Sequence, residues 1–593
     1  MNKILKRTII AGLCGISALA AASCGGRNPT VHEDWHEDNI DEITLFCNDW
    51  EQFNNGAAVE TPIYKELVKV TGCDIRARST GYETYYTQLD LQRNRGELDD
   101  MFIVEGPVDP SLFNSLIRDG EILAISDYVN EETKDEYPYL YEYMKKYDYM
   151  KSNVSYAEGK TWFIPVQWAN EKSLYVRRDW IKNLNNKIDE ILVADGVVSS
   201  ASQITDELRA EYRFSEEGPK TLDEVYRLAR AFTIYDPDGN GKDDTRGYVT
   251  EANRDMDSWL HVAYDTGWKQ YIYNEETKLY ESTNTSEGAM LATALLSKMV
   301  AEGYISQDVV TKAVGDKQND FMTGAAGMMY AHNWYNVICA GMMSATPGLT
   351  VEGAREKILI TDTPAGANGT FGGHGGVEYY RGWCLRGDMS VERREICLKL
   401  MEFLHSPEGL ELVNYGVYGT NWEWENDDEE SGVRVSLIEP DTQGFIQALR
   451  WTDPAAFISY LTYTPPESEA LQTNGDILVE RAKATAASMV LSDYPDVYTD
   501  STIRYLAAAY DYFDETVLKF IRDGAKYAAN WTFDAKTWKQ DGMEKMYTVS
   551  EAMKTAWQEF VNTYNSTYRG KQMQDEYNEF IQSGKAQKRA GLE

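Results

Sequence analysis

The sequence predicts an α/β chain of more than one domain, ending in a largely helical region. From residue 42, short apolar runs alternate with amphipathic helical segments, and a second alternation starts after Ser173. A length of 593 residues exceeds what one hydrophobic core organises and suits two or more domains.

The chain begins with Lys3, Lys6 and Arg7 ahead of an apolar run over 8–22 and small residues before a cysteine. This reads as a signal peptide over 1–23, not a spanning helix. Ala21-Ala22-Ser23-Cys24 resembles a lipobox, with Ala21 where Leu is preferred. Cys24 is then expected to be acylated and to become the mature N-terminus. Residues 24–41 are polar, acidic and without period, as a lipidated tether requires. His32 and His36 within them read as parts of a solvated linker, not as metal ligands. No later stretch approaches eighteen consecutive apolar residues, so the expectation is an exported protein, lipid-anchored to the cell membrane on its extracellular or periplasmic face.

Five cysteines remain: Cys47, Cys73, Cys339, Cys384 and Cys397. An odd, scattered set is no disulfide framework, and Cys47 and Cys73 fall at opposite ends of two strands if these run parallel. They read as small buried hydrophobes. A net charge of −37 repels nucleic acid and anionic membrane surfaces, so neither is expected as a partner.

The first alternation runs ITLFC, a helix over 62–70, CDIRA, a helix near 83–94, then DDMFIVEG. The first helix has Thr61 as N-cap, Pro62 at its first position, apolar Ile63, Leu67 and Val70 on one face, and Gly72 past its end. Strand, helix, strand, helix, strand specifies a parallel sheet covered on both faces. Ligands bind beyond the carboxyl ends of such strands. That places Asn48, Asp49 and Trp50 after the first strand, and Glu105 and Gly106 after the third, at a candidate cleft. GKT at 159–161 lacks the leading glycine of a phosphate loop and reads as a turn. Thr221 and Glu224 predict a capping box for a helix over 222–232. Further on come the strand ILITDTP, a glycine-rich FGGHGGVEYYRGW and a helix over 391–404.

The sharpest motif is DPDGNGKDDTRG at 236–247. Carboxylates of Asp236 and Asp238, the amide oxygen of Asn240, the carbonyl of Lys242, and Asp244 directly or through water offer alternating oxygens to a hard cation, with Gly241 at the sharp turn. The expected cofactor is a structural calcium ion. Gly247 stands where a complete EF-hand has its bidentate Glu, so the final ligand is open.

The run PKTLDEVYRLARAFTIYDPDGNGKDDTRGY resembles the large lipoprotein branch of the family 1 extracellular solute-binding proteins, carbohydrate-type binding proteins of ABC importers that include alginate-binding proteins. SLYVRRDWIKNL, FMTGAAGMMYAHNW, HSPEGLELVNYGVYGTNWEW and FIRDGAKYAANWTFDAKTWKQDGMEKM agree, so the resemblance covers most of the chain after the signal. It implies calcium at Asp236, Asp238, Asn240, Lys242 and Asp244, with Thr245 where the relatives carry an acidic residue. It also implies a two-lobed periplasmic-binding-protein type II fold, each lobe a sheet flanked by helices: lobe one from 42–172 and 349–405, lobe two from 173–348 and 406–593. Substrate would be trapped between the lobes.

By the same analogy the candidate contacts extend to Gln167, Trp168 and Asn170 at the first crossover, Asn333 and Trp334 after the GMMYA strand, His374 and Glu378 in the glycine-rich stretch, and Asn421, Trp422 and Trp424 entering the lobe-two helices. Trp suits the C–H face of a sugar ring, and Asp, Glu and Asn suit its hydroxyl edge. Fifteen Trp and 40 Tyr give a rich supply of flat faces, though each taken alone is more often core than contact. The resulting expectation is a monomeric binding protein, not an enzyme, that delivers a carbohydrate to ABC permease subunits in the membrane. Peptides and sugar acids stay open as cargo. A calcium-dependent surface polysaccharide hydrolase and a solute sensor are the alternatives.

Overall fold

The computed structural model describes residues 35–49, 61–81, 84–104, 110–153, 158–167, 172–252, 257–332, 335–373, 379–427, 434–437, 493–494 and 497–588. The strands are β1 (Glu42–Asp49), β2 (Asp74–Gly81), β3 (Met101–Val104), β4 (Ile164–Gln167), β5 (Lys172–Arg177), β6 (Tyr271–Asn274), β7 (Leu279–Ser282), β8 (Met328–His332), β9 (Ile358–Thr361), β10 (Tyr379–Leu385), β11 (Trp422–Trp424) and β12 (Arg434–Ser436).

Five of them form the first sheet, in the order β2-β1-β3-β10-β4. β1 pairs parallel with β2 and β3, and β10 runs antiparallel between β3 and β4. The helix Pro62–Thr71 connects β1 to β2 as its sequence signals specify: Thr61 accepts the Tyr64 amide at 3.1 Å, and Gly72 closes the end at φ 76°. Both faces of this sheet are covered, which is why β3 is buried along its whole length. Cys47 lies opposite Ser79, while Cys73 precedes the Glu42–Asp74 pair, so the two thiols sit at opposite ends of their strands. All five described cysteines are free and buried.

The second sheet has three strands, β8-β5-β9, antiparallel throughout. Residues 248–250 join β8 through a parallel bridge between Val249 and Met329. Successive β5 residues serve opposite faces: Leu174 and Val176 enter the main core, while Tyr175 enters a second cluster with Phe321, Met329 and Ile360.

Several expectations need correction. β9 pairs with β5, so residues 349–361 belong with the second sheet, and the return from lobe two to lobe one falls between β9 and β10 instead of at 349. The helix Pro407–Tyr415 packs on Val391–His405 and so belongs with lobe one, not lobe two. Its Ser406 cap turns the chain back so tightly that a Cβ at Gly409 would lie 1.8 Å from the Phe403 carbonyl oxygen. The helix Asp500–Arg522 packs on Glu287–Ala301 and also touches Pro110–Arg118, spanning both lobes. Finally, the capping box at Thr221 does not form. Thr221 bridges Ala365, its hydroxyl donates to Asp223, and Glu224 accepts the Lys220 amide instead.

The tether also ends earlier than 41. The Trp35 indole donates to the Asp388 carbonyl at 3.0 Å and the Val391 amide donates to the Trp35 carbonyl. His36 Nδ1 donates to Glu392 at 2.6 Å, and Arg393 clasps Glu37 through Nε at 2.7 Å and Nη2 at 3.0 Å. Residues 35–37 are thus latched to the N-terminus of the helix Val391–His405. No described helix is long and apolar enough to cross a membrane.

Candidate functional site

Strand direction decides where the site can be. The carboxyl ends of β1, β3 and β4 and the amino end of β10 share one edge of the first sheet. On the second sheet the amino end of β5 and the carboxyl ends of β8 and β9 share an edge, with Lys172 opposite His332 and Leu174 opposite Thr361. The 168–171 link joins β4 to β5, and 362–378 joins β9 to β10, so both crossovers run from one of these edges to the other. Five Cα steps separate Gln167 from Lys172, a span of at most about 18 Å. The first crossover therefore holds the two edges within about 18 Å of each other at that point.

This topology gathers most of the candidate contacts. Asn48 and Asp49 end β1 and Gln167 ends β4 on the first edge; their backbones are described and their side chains are not. Trp50, Glu105, Trp168, Asn170, Asn333, Trp334, His374 and Glu378 lie outside the described residues, as does Cys24. In sequence, each of these candidates other than Cys24 lies within two residues of a strand end at one of the two edges or belongs to a crossover.

Asn421, Trp422 and Trp424 behave differently. They form and precede β11, a short hairpin strand paired with β12, and do not enter helices. Asn421 is buried, and its side-chain oxygen accepts the Val417 amide at 2.8 Å. Trp422 is buried and donates its indole N–H to the Gly416 carbonyl at 3.1 Å. Both are committed to holding this turn. Trp424 is half-buried, edge-on to Trp422 at 4.9 Å and covered by the Arg434 guanidinium at 4.5 Å, which leaves it the better placed of the three to meet a ligand.

The 236–247 loop winds as its glycines allow, with positive φ at Asp236, Gly239 and Gly241. The Asn240 amide N–H donates to Asp238 Oδ1 at 3.1 Å, the Lys242 N–H to Asn240 Oδ1 at 2.7 Å, and the Gly241 N–H to Asp236 Oδ2 at 3.2 Å. Asn240 Nδ2 reaches both Asp238 at 2.8 Å and Asp244 at 3.1 Å, so these three side chains converge. Asp236 Oδ1 is buried without a hydrogen-bond partner. Burial, opposed by the Asn240 amide and helped by the bond and charge of Asp236, leaves the Asp238 carboxyl above its usual range. Against its own burial, Asp236 is held below that range by hydrogen bonds from Asp238 and the Gly241 amide and by the Lys187 charge. Two such carboxylates repel unless a cation relieves them.

Two positions further along the loop serve its packing. Thr245 is buried and donates to the Phe232 carbonyl at 2.7 Å. A Cβ at Gly247 would lie 2.2 Å from the Ala229 carbonyl oxygen, so no side chain fits at the twelfth position.

Sequence reasoning missed a buried charge cluster at the second sheet's facing edge. Lys317 Nζ lies 2.9 Å from Glu251 and donates to the Tyr330 carbonyl at 3.0 Å. Asp257 accepts from the Tyr248 hydroxyl at 3.2 Å and the Thr250 hydroxyl at 2.9 Å. Burial raises the Glu251 carboxyl and lowers the Lys317 ammonium, and Asp257 and Lys172 act on both. One signal was present: Lys317 shares the inward side of its helix with Phe321, four residues on.

Comparison with known proteins agrees with this architecture. A profile described as bacterial extracellular solute-binding protein matches residues 50–351. The polygalacturonan/rhamnogalacturonan-binding protein YtcQ of Bacillus subtilis (strain 168) is 22% identical over 491 residues, 78% of this chain and 85% of its own length. Lipoprotein LipO of the same organism is 23% identical over 463 residues, 74% of this chain and 79% of its own. Among solved structures, the S. pneumoniae ABC-transporter substrate binding protein FusA in complex with kestose superposes with a TM-score of 0.58 at 15% identity, covering 91% of this chain and 100% of its own. Alginate-binding protein AlgQ2, solved without calcium ion, gives 0.54 at 14% identity over 88% and 98%. The two structures share the two-lobed fold, and with the profile spanning half of the sequence the chain belongs to the bacterial extracellular solute-binding protein family.

Proposed function

We propose that this protein captures a carbohydrate, an oligosaccharide in particular, between its two sheets and delivers it to the membrane permease of an ABC importer. The observation that carries this reading is the convergence of both crossovers on two facing edges. The segments leaving those edges hold Trp50, Trp168 and Trp334 beside Asp49, Glu105, Asn170 and Asn333. Flat aromatic faces for C–H surfaces, next to amides and carboxylates for hydroxyls, are what a sugar chain requires. The substrates named for YtcQ and FusA point the same way. Ligand preference for the closed arrangement drives closure, and the closed form is what a permease recognises.

In this reading Cys24 carries the lipid, 25–34 link it to the body, and the latch at 35–37 fixes that link to lobe one. The protein acts as a monomer and performs no chemistry on its cargo. The 236–247 loop holds a structural calcium through Asp236, Asp238, Asn240, Lys242 and Asp244. Its fit rests on the unpartnered Asp236 oxygen and the convergence of Asp238, Asn240 and Asp244.

A thermal-shift panel of kestose, maltotriose, galacturonic acid oligomers and a peptide pool tests the reading. A sugar at a hundred times its dissociation constant adds about 2.7 kcal/mol of stability. A rise in melting temperature with the peptide pool alone overturns the carbohydrate assignment, and release of reducing ends from any sugar favours the hydrolase.

A further inference from the structure

The helix Arg178–Asn186 ends against the entrance of the 236–247 loop. Asn183 and Lys187, four residues apart and so neighbours on one side of the helix, both reach across to it. Asn183 Nδ2 donates to the Pro237 carbonyl at 2.9 Å, and Lys187 Nζ donates to the Asp236 carbonyl at 2.8 Å. Lys187 Nζ also stands 3.7 Å from Asp236 Oδ2, the two side chains being 33% and 31% exposed. The ammonium has a fixed base: the Lys187 amide closes the helix on the Asn183 and Leu184 carbonyls, and its own carbonyl accepts the Ile191 amide of the next helix. A cation is thus built into the chain at the loop's first carboxylate.

With no ion present, this ammonium relieves the mutual repulsion of Asp236 and Asp238. An ion that enters the loop has to share Asp236 with it. Like charges repel, and a doubly charged ion meets twice the repulsion of a singly charged one. Partial exposure of Lys187 weakens that force without removing it and makes it sensitive to dissolved salt. Removing the ammonium also removes one hydrogen bond to the loop, which acts in the other direction. Asn183 still holds the Pro237 carbonyl, and the Asn240, Gly241 and Lys242 amides keep their bonds to Asp238, Asp236 and Asn240, so the winding does not depend on Lys187 alone. Repulsion is then the larger of the two effects on an entering ion.

We infer that Lys187 is a resident counter-cation of the 236–247 loop, steadying it when empty and weakening its hold on calcium. Charge count among the ligands tunes the affinity of such loops, and a positive charge at the first ligand acts like one carboxylate fewer. That moves the loop toward the dissociation constants of about 10⁻⁴–10⁻³ M found in extracellular modules. The site then fills at extracellular calcium levels and stays empty at cytosolic ones. The inference rests on the proposed calcium reading for the ion, and on the observed placement of Lys187 for the charge.

The test titrates calcium chloride calorimetrically into the purified, chelator-stripped protein at about 0.01 M and about 1 M potassium chloride. Wild type is compared with Lys187→Met, which removes the charge, and Lys187→Arg, which keeps it. Lys182→Met, at an exposed lysine of the same helix, controls for the change in net charge. Lys187→Gln, uncharged but still a donor, repeats the measurement if Met at this partly exposed position impairs folding. At low salt the expected dissociation constant is at least about fivefold smaller in Lys187→Met and within about twofold of wild type in Lys187→Arg and Lys182→Met; at high salt the gain falls below about twofold. In calcium-free protein, hydrogen exchange of the 238–242 amides is expected to rise at least about threefold in Lys187→Met, and no rise there overturns the steadying role. Calcium affinity in Lys187→Met equal to or weaker than that of wild type, or a gain that salt leaves intact, overturns the inference alone. Wild type and variants that all fail to take up calcium overturn the calcium reading and the affinity role together.

Discussion

In the five-stranded sheet a buried ion network centred on Asp100 sits at the edge away from the crossovers, whereas beside the three-stranded sheet the buried Glu251–Lys317 pair sits near the end of β8. Asp100 precedes β3 and is 2% exposed. It accepts from Arg386 at 2.8 Å, Arg393 at 3.1 Å and the Thr44 amide at 2.9 Å, and Arg393 continues to Glu37. This network receives the arriving N-terminal chain. Glu251 and Lys317 instead join the chain after Thr250 to the end of β8. Buried ions thus serve two ends: in lobe one they fasten the body to residues 35–37, and in lobe two they tie neighbouring chain segments together.

The largest expected effect is that of Asp100→Ala, which strands two partly buried arginines. It should cost about 3–5 kcal/mol in urea denaturation while leaving ligand affinity within about twofold of wild type. A large affinity loss would break the contrast between the lobes.

Next comes His405, also in lobe one. Burial, opposed by its hydrogen bond to the Met401 carbonyl at 2.7 Å, pushes its pKa down to about 4. A histidine whose folded pKa lies below its unfolded value favours folding fully above the unfolded pKa. Stability is lost as pH falls from about 6.5 to about 4, by about 3 kcal/mol in total. Denaturation at pH 7 and pH 4.5 should show most of this loss in wild type and a flatter profile in His405→Gln.

Calcium should act on lobe two alone. At a hundred times its dissociation constant it adds about 2.7 kcal/mol, so a chelator should lower the melting temperature without changing which sugar binds. Asp236→Asn should abolish the chelator effect.

The smallest effect belongs to the latch. The Glu37 amide, the His36 ring and its own helix-end amide hold the Glu392 carboxyl down at about 2. Its contribution is present above the usual carboxylate range and fades as pH falls toward 2. Glu392→Ala should free residues 35–37, seen as faster exchange of the Glu37 and Val391 amides, with global stability little changed.

Much of the fold could be read in advance because local signals and burial agreed. The Thr61 cap with Gly72, the apolar runs of β1 and β3, and the inert cysteines all formed as expected. The misreadings came where tertiary pairing overrode local pattern. ILITDTP reads as a strand in either lobe, and only its register against β5 assigns it. Thr221 and Glu224 have capping-box spacing, but the Thr221 hydroxyl donates to Asp223 and the Glu224 carboxylate takes the Lys220 amide instead. Trp422 and Asn421 looked like contacts because they resemble a ligand-binding pair in composition, yet they are consumed by their own turn. Glu251 and Lys317 escaped notice because a pair 66 positions apart carries no spacing signal.

The most direct test of the central claim is calorimetric titration of the purified protein with the sugars that raise its melting temperature, in wild type and in Trp168→Ala at the first crossover. The account predicts one oligosaccharide bound per chain, with a negative heat-capacity change and affinity reduced at least about tenfold by the substitution. Binding that leaves Trp168→Ala unaffected, or a stoichiometry other than one, would contradict capture between the facing edges of the two sheets.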